Sequence, residues 1–375
     1  VLCSQYLGAL QQTNVRQVIG VSLVFNTLIG VTMSACLYFR AETLLKMMDL
    51  APELISEGLA YMQIVGGFAF LQAIALTMSA VLRSHNEAYY PMRVTLLMNV
   101  LNIVGNYALI FGKFGFPALG IAGAAIGSSL AELVSLIFFI LYTRYRIDCR
   151  KFGLDRIPKF RPEILKRMLN ISFWTMIQNV FSLSTWFLFF LYVEHLGERS
   201  LAVTNIVRNV SGILFMVLMA FASTCGSLVS NLIGAGHSDC VAGTIRQHVR
   251  IAYVFVLPLA LLFALFPKLI LGIYTDIPDL QDAAVHSLWV MCSTYLFLVP
   301  ANVYFQAVSG TGNTRTALGM ELATLVIYTA YITYIILILQ LDVAICWTSE
   351  MVYSSFILIF CWLYIKRGNW QGRKI

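Results

Sequence analysis

Three acidic residues occupy positions where an acid is expensive. Glu132, Glu321 and Glu350 each lie inside a long apolar run of the 375-residue chain. A carboxylate at the centre of a bilayer costs about 2.5–3.5 kcal/mol on insertion scales, so its presence asks for a reason. Two reasons are open: binding and releasing a cation, or structural pairing that includes reaching toward the nearer membrane edge. Glu132 stands twelve residues from Arg144, Glu350 eight from Asp342 and Glu321 six from Arg315. At 1.5 Å per residue, the first spacing puts Glu132 near mid-depth.

Other polar groups share these runs. Arg208 is the one Arg or Lys deep within a span, Lys268 standing only four residues from the end of the run 251–272. With Asn205 and Asn209, Arg208 makes a patch at helical i, i+3, i+4 spacing. It reads either as the partner of a buried carboxylate or as part of a polar cavity wall. Thr175, Gln178, Asn179, Ser182 and Thr185 form a second helical stripe, which cannot face lipid without cost and so either bonds neighbouring helices or lines water. Asn102 and Asn106 share one helix face, and 227 residues on Thr329 and Thr333 repeat the i, i+4 spacing.

The elements that position these groups follow from composition. Hydrophobic residues make up 59% of the chain and charged residues 11%, with a mean hydropathy of +0.79. A soluble domain carries about 25% charge, so the bilayer is the expected solvent. Ten runs are long enough to cross as helices: 17–39, 58–82, 94–112, 118–143, 168–193, 200–232, 251–272, 283–309, 316–340 and 343–365, with 1–10 as the end of another. Pro258 and Pro300 fall inside two of them and can kink their helices. The net charge of +7 does not mark a nucleic-acid binder, because the basic residues lie in loops between the runs. The eight cysteines show no CxxC pair and no histidine at metal spacing, which predicts buried thiols.

Loop charges assign sidedness. One set of alternate loops holds Arg16, Arg83 and Arg93, the stretch Arg144 to Arg167, Arg246 and Arg250, Arg315, and the tail Lys366 to Lys374. The other holds Arg40, Lys46, Lys113, Arg199 and Lys268. The richer set is expected to be cytoplasmic, with both chain ends inside.

The chain also repeats itself. Ser4-Gln5-Tyr6-Leu7-Gly8-Ala9 returns as Ser230-Asn231-Leu232-Ile233-Gly234-Ala235, and Ala51-Pro52-Glu53-Leu54 as Ile277-Pro278-Asp279-Leu280. Ala80-Val81 with Asn86 returns as Ala307-Val308 with Asn313, and Leu141-Tyr142 with Arg144 as Leu363-Tyr364 with Lys366. The offsets are 226, 226, 227 and 222. This register predicts an all-α integral membrane protein of two six-helix lobes related by a parallel pseudo-two-fold repeat, with the first helix and most of the second missing. The expected parts are an N-terminal lobe over 1–145, a cytoplasmic linker over 146–162 and a C-terminal lobe over 163–375.

Several blocks carry a family resemblance: 4–9, SAVLRSHNEAYYPM (79–92), NVLNIVGNYALIFGKFGFPALGIAGAAIGSSLAE (99–132) and AVSGTGNTR (307–315). On these the chain resembles a bacterial multidrug and toxic compound extrusion (MATE) transporter over its whole length. The resemblance implies a secondary antiporter of the inner membrane, working by alternating access of two lobes. It would export amphipathic, often cationic drugs or toxic metabolites in exchange for H⁺ or Na⁺, as a monomer handling small molecules and without cofactor or nucleic acid. In the DinF-like branch the position matching Asn106 is an Asp of a proton-linked site, four residues after an Asn matching Asn102; Asn106 cannot titrate. In the NorM-like branch acids on helices seven and ten are linked to Na⁺, and the apolar cores 168–193 and 283–309 hold none. The candidate ion- or substrate-binding residues are therefore Glu132, Glu350, Glu321, Asn102, Asn106, Gln178, Asn179, Ser182 and Arg208. The alternative is a flippase of lipid-linked sugars or an exporter of one metabolite. A membrane-embedded enzyme would need an HExxH motif or paired acids within one helical turn, and neither is present inside the apolar runs.

Overall fold

The computed structural model describes residues 1–47, 52–85, 89–146, 161–368 and 370–371. All regular structure among them is helical, as long apolar runs require in lipid, where each backbone group must be bonded within its own segment. The helices are α1 (Leu2–Gly8), α2 (Gln12–Met47), α3 (Pro52–Gly67), α4 (Ala69–Ser84), α5 (Tyr89–Phe111) and α6 (Gly120–Arg146). They continue with α7 (Pro162–Glu194), α8 (Glu198–Gly234), α9 (Val241–Leu265), α10 (Pro267–Leu271) and α11 (Pro278–Gly310). Last come α12 (Thr314–Ile332), which runs on as a π-helix over Thr333–Ile338, then α13 (Val343–Cys346) and α14 (Ser349–Arg367).

Among the described residues nine helices are long and apolar enough to cross a membrane, or ten if a pair bent by 42° is one span. This corrects the expectation of two six-helix lobes lacking a first helix and most of a second. The described residues hold nine to ten spans rather than twelve. Twelve came from counting six runs after residue 161 and assigning six to the first lobe by the repeat. Six spans do begin at or after Pro162, but among the described residues only three precede it, or four with the bent pair. The run 58–82, expected as one span, is that bent pair: α3 stops at Gly67 and α4 restarts at Ala69. Gly66-Gly67 supplies the weak point, since glycine holds a helix about 1 kcal/mol less well than alanine. The run 343–365 is likewise broken, between Cys346 and Ser349. The expected linker falls mostly outside the described residues, as do Ala51 and Asn86 of the repeat.

The described residues form two compact units, one over 11–165 and one made of 1–10 with 166–375. In the first, α2 packs along α3 and α4, and α5 along α6. Met78, Leu82, Val94 and Phe139 close a small core there, and Asn26 Nδ2 donates to Thr77 Oγ1 at 2.9 Å between α2 and α4.

In the second unit, α8 and α11 make the central pair. Val207, Val210, Leu214, Leu218, Ala222, Cys225 and Val229 run down one side of α8 at 0% exposure. Close packing rather than water exclusion holds such a seam in lipid. Small residues allow it: a Cβ on Gly226 would lie 2.8 Å from the Gln306 carbonyl oxygen. Tyr295 OH on α11 donates to the Ser211 carbonyl oxygen at 2.8 Å, and Ser230 Oγ donates to that of Gly310 at 2.6 Å.

The repeated fragments Ser4–Ala9 and Ser230–Ala235 meet in this unit. A Cβ on Gly8 would strike the Asn231 carbonyl oxygen, and one on Gly234 would strike that of Gln5. Gly8 and Gly234 are repeat partners, and so are Gln5 and Asn231. The contact is therefore reciprocal, as around a local two-fold axis. Asn231 Nδ2 donates to the Ser4 carbonyl oxygen at 3.4 Å, and Gln5 Nε2 to that of Thr311 at 3.4 Å. Gly234→Ala is expected to lower the midpoint of thermal unfolding in detergent, because overpacking a closed contact costs roughly 1–3 kcal/mol. Gly243→Ala, inside α9 and with nothing within 4 Å of the added carbon, is expected to keep or slightly raise the midpoint, since alanine favours the helix. Equal midpoints for the two variants would show that the crossing is loose.

Candidate functional site

One face of α12 carries Glu321, Leu325, Tyr328 and Ile332, all buried, at the helical spacing that stacks residues on one side. Glu321 is 1% exposed. Its Oε1 accepts from Ser182 Oγ of α7 at 2.6 Å. Tyr353 OH of α14 lies 2.9 Å from each of its two carboxyl oxygens. One turn nearer the N-terminus of α14 the arrangement is mirrored, with Tyr328 OH donating to Glu350 Oε1 at 3.4 Å. The two tyrosine rings meet edge to face at 6.1 Å and 85°. Acid and tyrosine thus alternate across the helix pair as two crossed rungs.

The break before Ser349 serves the second rung. It places Glu350 in the first turn of α14, where free N–H groups give a helix its positive end and favour an acid. Thr348, just ahead of that helix, pairs with Tyr331 OH at 2.8 Å. Non-helical backbone at membrane depth is tolerated where protein covers it or it lines a cavity.

No basic side chain answers these acids. Among the described residues the ion pairs are Lys46–Glu42, Arg199–Asp279 and Lys268–Asp282, all with exposed side chains. Such surface pairs contribute about 0–1 kcal/mol each. Among the described residues Glu321 is bonded by the Ser182 and Tyr353 hydroxyls and by no basic side chain. Among the described residues no three His, Cys, Asp or Glu gather as for a metal ion. Carboxyl and hydroxyl oxygens suit a proton or a hard alkali cation rather than a soft metal.

The other candidates are placed as follows. Gln178 is buried and Asn179 exposed, one turn from Ser182 on α7. In the unit over 11–165, Asn102 Nδ2 donates to Ser128 Oγ at 3.1 Å, and Asn106 Nδ2 donates to Asn102 Oδ1 at 2.8 Å. Asn106 Oδ1 is buried without a hydrogen bond and points at Gly127, whose bare Cα leaves it room. Glu132, half-buried, follows Ser128 by one turn on α6. Thr333 Oγ1 turns back to the Thr329 carbonyl oxygen at 2.7 Å, so the second-half pair bonds its own helix. The Arg208 guanidinium lies over two rings, 5.8 Å from Trp186 and 5.3 Å from Phe190, and joins no ion pair.

Sequence reasoning named both acids and Ser182 but missed Tyr328 and Tyr353. Their spacing was the available signal, since Tyr328 is i+7 from Glu321 and Tyr353 is i+3 from Glu350. A double-mutant cycle of Glu321→Gln with Tyr353→Phe, read by unfolding free energy, is expected to show a coupling of about 1–3 kcal/mol. Additive effects would mean that the tyrosine does not hold the carboxyl.

A family model described as MatE matches residues 1–108 and 175–335. An uncharacterized transporter of Bacillus subtilis, YisQ, is 31% identical over 287 residues, covering 76% of this chain and 62% of that protein. The chain thus spans less than two thirds of that relative's length. A probable multidrug resistance protein NorM of Thermotoga maritima is 27% identical over 381 residues, covering all of this chain and 81% of its own. Among solved structures, an outward-facing MATE family transporter of the MOP superfamily superposes with a TM-score of 0.89 at 18% identity, over 98% of this chain and 81% of that one. A MOP superfamily transporter from Pyrococcus furiosus gives 0.87 at 16% identity, with the same coverage. These structures establish the fold, a multi-pass helical membrane fold of the MATE type. The family model, which matches well over half of the residues, together with the Bacillus relative, establishes descent: the chain belongs to the MatE family.

Proposed function

We propose that the chain is the transporting part of a secondary antiporter. It exports amphipathic organic compounds from the cytoplasm by alternating access, in exchange for H⁺ or Na⁺. Family membership supports the class, and one observation carries the coupling. Glu321 is closed off from solvent, is bonded by Ser182 and Tyr353, and among the described residues has no basic partner. A group so placed changes its net charge by taking up one cation and losing it again, which is what ion-coupled transport needs. Glu350, reached through Tyr328, is the second station of the same path. The asymmetry of loop charges supports cytoplasmic chain ends, and the protein acts as a monomer.

Ser182 ties the carboxyl to α7, the helix that also carries Gln178 and Asn179. Neutralising Glu321 weakens that hydrogen bond, because charge-assisted bonds are about twice as strong as neutral ones. The position of α7 then depends on whether the cation is bound, and this is the link between ion and substrate.

The test is dye flux from proteoliposomes under an imposed H⁺ or Na⁺ gradient, with rhodamine 6G and carboxyfluorescein as probes of opposite charge. Gradient-dependent flux of at least one dye is expected, and Glu321→Gln should slow it about tenfold or more. No gradient-dependent flux of either dye sinks the transport reading. Wild-type flux in Glu321→Gln removes Glu321 from the coupling role.

A further inference from the structure

We infer that Arg208, with Trp186 and Phe190, forms a subsite for the negatively charged group of a planar aromatic substrate, an assignment that rests on the transport reading above and narrows its substrate class.

The charge comes first. Arg208 stands nine residues beyond Arg199 on α8, about 13 Å along the helix. A guanidinium at that depth faces protein or a water-filled space, not acyl chains. Trp186 and Phe190, one turn apart on α7, bring their rings to 5.8 and 5.3 Å of its central carbon, within the range of cation–π attraction. Rings can shield a guanidinium, but they accept none of its five in-plane N–H donors. Among the described residues no ion pair involves Arg208. A cation held by rings alone offers its donors to an incoming acceptor.

The location agrees. The buried row Val203, Val207, Val210 and Leu214 marks the side of α8 turned to α11. At 100° per residue, Asn205, Arg208 and Asn209 lie away from that row. Asn209 is exposed and the other two are half-buried. Two amides and a guanidinium on an open face of a membrane helix describe a polar wall.

Carboxylate or sulfonate oxygens match the guanidinium fork, which binds such groups with two parallel hydrogen bonds. Trp186 is 38% exposed, which leaves part of its ring free to stack on an aromatic body. A cationic head is repelled from the same spot.

The experiment needs no ion gradient. The full chain in lipid nanodiscs is titrated by calorimetry with 2-naphthoate and with 2-naphthylmethylammonium, one ring system with opposite charges. Naphthoate is expected to bind about tenfold or more tighter than the ammonium compound. Arg208→Gln should abolish that preference, and Arg208→Lys should restore part of it, since an ammonium keeps the charge but not the fork. Equal affinity of the wild type for both probes overturns the inference, and so does a preference that survives in Arg208→Gln. If Arg208→Gln does not fold, Trp186→Leu decides with the wild type: naphthoate affinity must fall, and unchanged affinity overturns the subsite. A naphthoate preference without any gradient-driven dye flux upholds the subsite and removes the transport reading instead.

Discussion

A charge in a membrane has to be matched, and the matching of Glu321 is what the rest of this structure is arranged around. Three hydrogen-bond contacts reach its carboxyl from two different helices, and no fixed cation does. The acid is thus held by hydrogen bonds rather than by an ion pair. A permanent ion pair would have locked it; a bare pocket would have made it unaffordable in lipid. Hydroxyl donors stand between these limits, holding the group in place with no ion pair among the described residues.

That arrangement depends on distortions a uniform helix would not supply. The π-segment Thr333–Ile338 and the break before Ser349 lie on the two strands of the same hairpin, at its turn end. Irregular turns of this kind are common at functional positions in helical proteins. The break gives Glu350 a helix N-terminus. Elsewhere in the same unit, straight helices meet through glycines, with Gly226 and Gly310 on one seam and Gly8 and Gly234 on another. Regular packing thus frames one irregular layer.

How much of this could be read from residues alone divides along physical lines. Hydropathy averages over some twenty positions, so it found the spans and blurred their interruptions at Phe68 and at Trp347-Thr348. Charged residues in apolar runs stand out, so Glu321, Glu350 and Arg208 were named. Tyrosine in a membrane helix is ordinary, so Tyr328 and Tyr353 passed unnoticed although their spacing from the acids was visible. The repeat was legible as an offset but not as a helix count, and the contact of Gly8 with Gly234 emerged only in three dimensions. Arg208 was read as the partner of a carboxylate or as a wall; its guanidinium lies over the Trp186 and Phe190 rings that α7 presents at its level.

The crossed rungs of α12 and α14 have a mechanical consequence. Glu321 bonds Tyr353 and Tyr328 bonds Glu350, so both bonds are made at a single alignment of the two helices. A slide that opens one rung also displaces the other, because all four side chains ride on the same two helices. The two rungs together tie the helices at one register. Packed elements with discrete resting places move between states in steps rather than by continuous deformation.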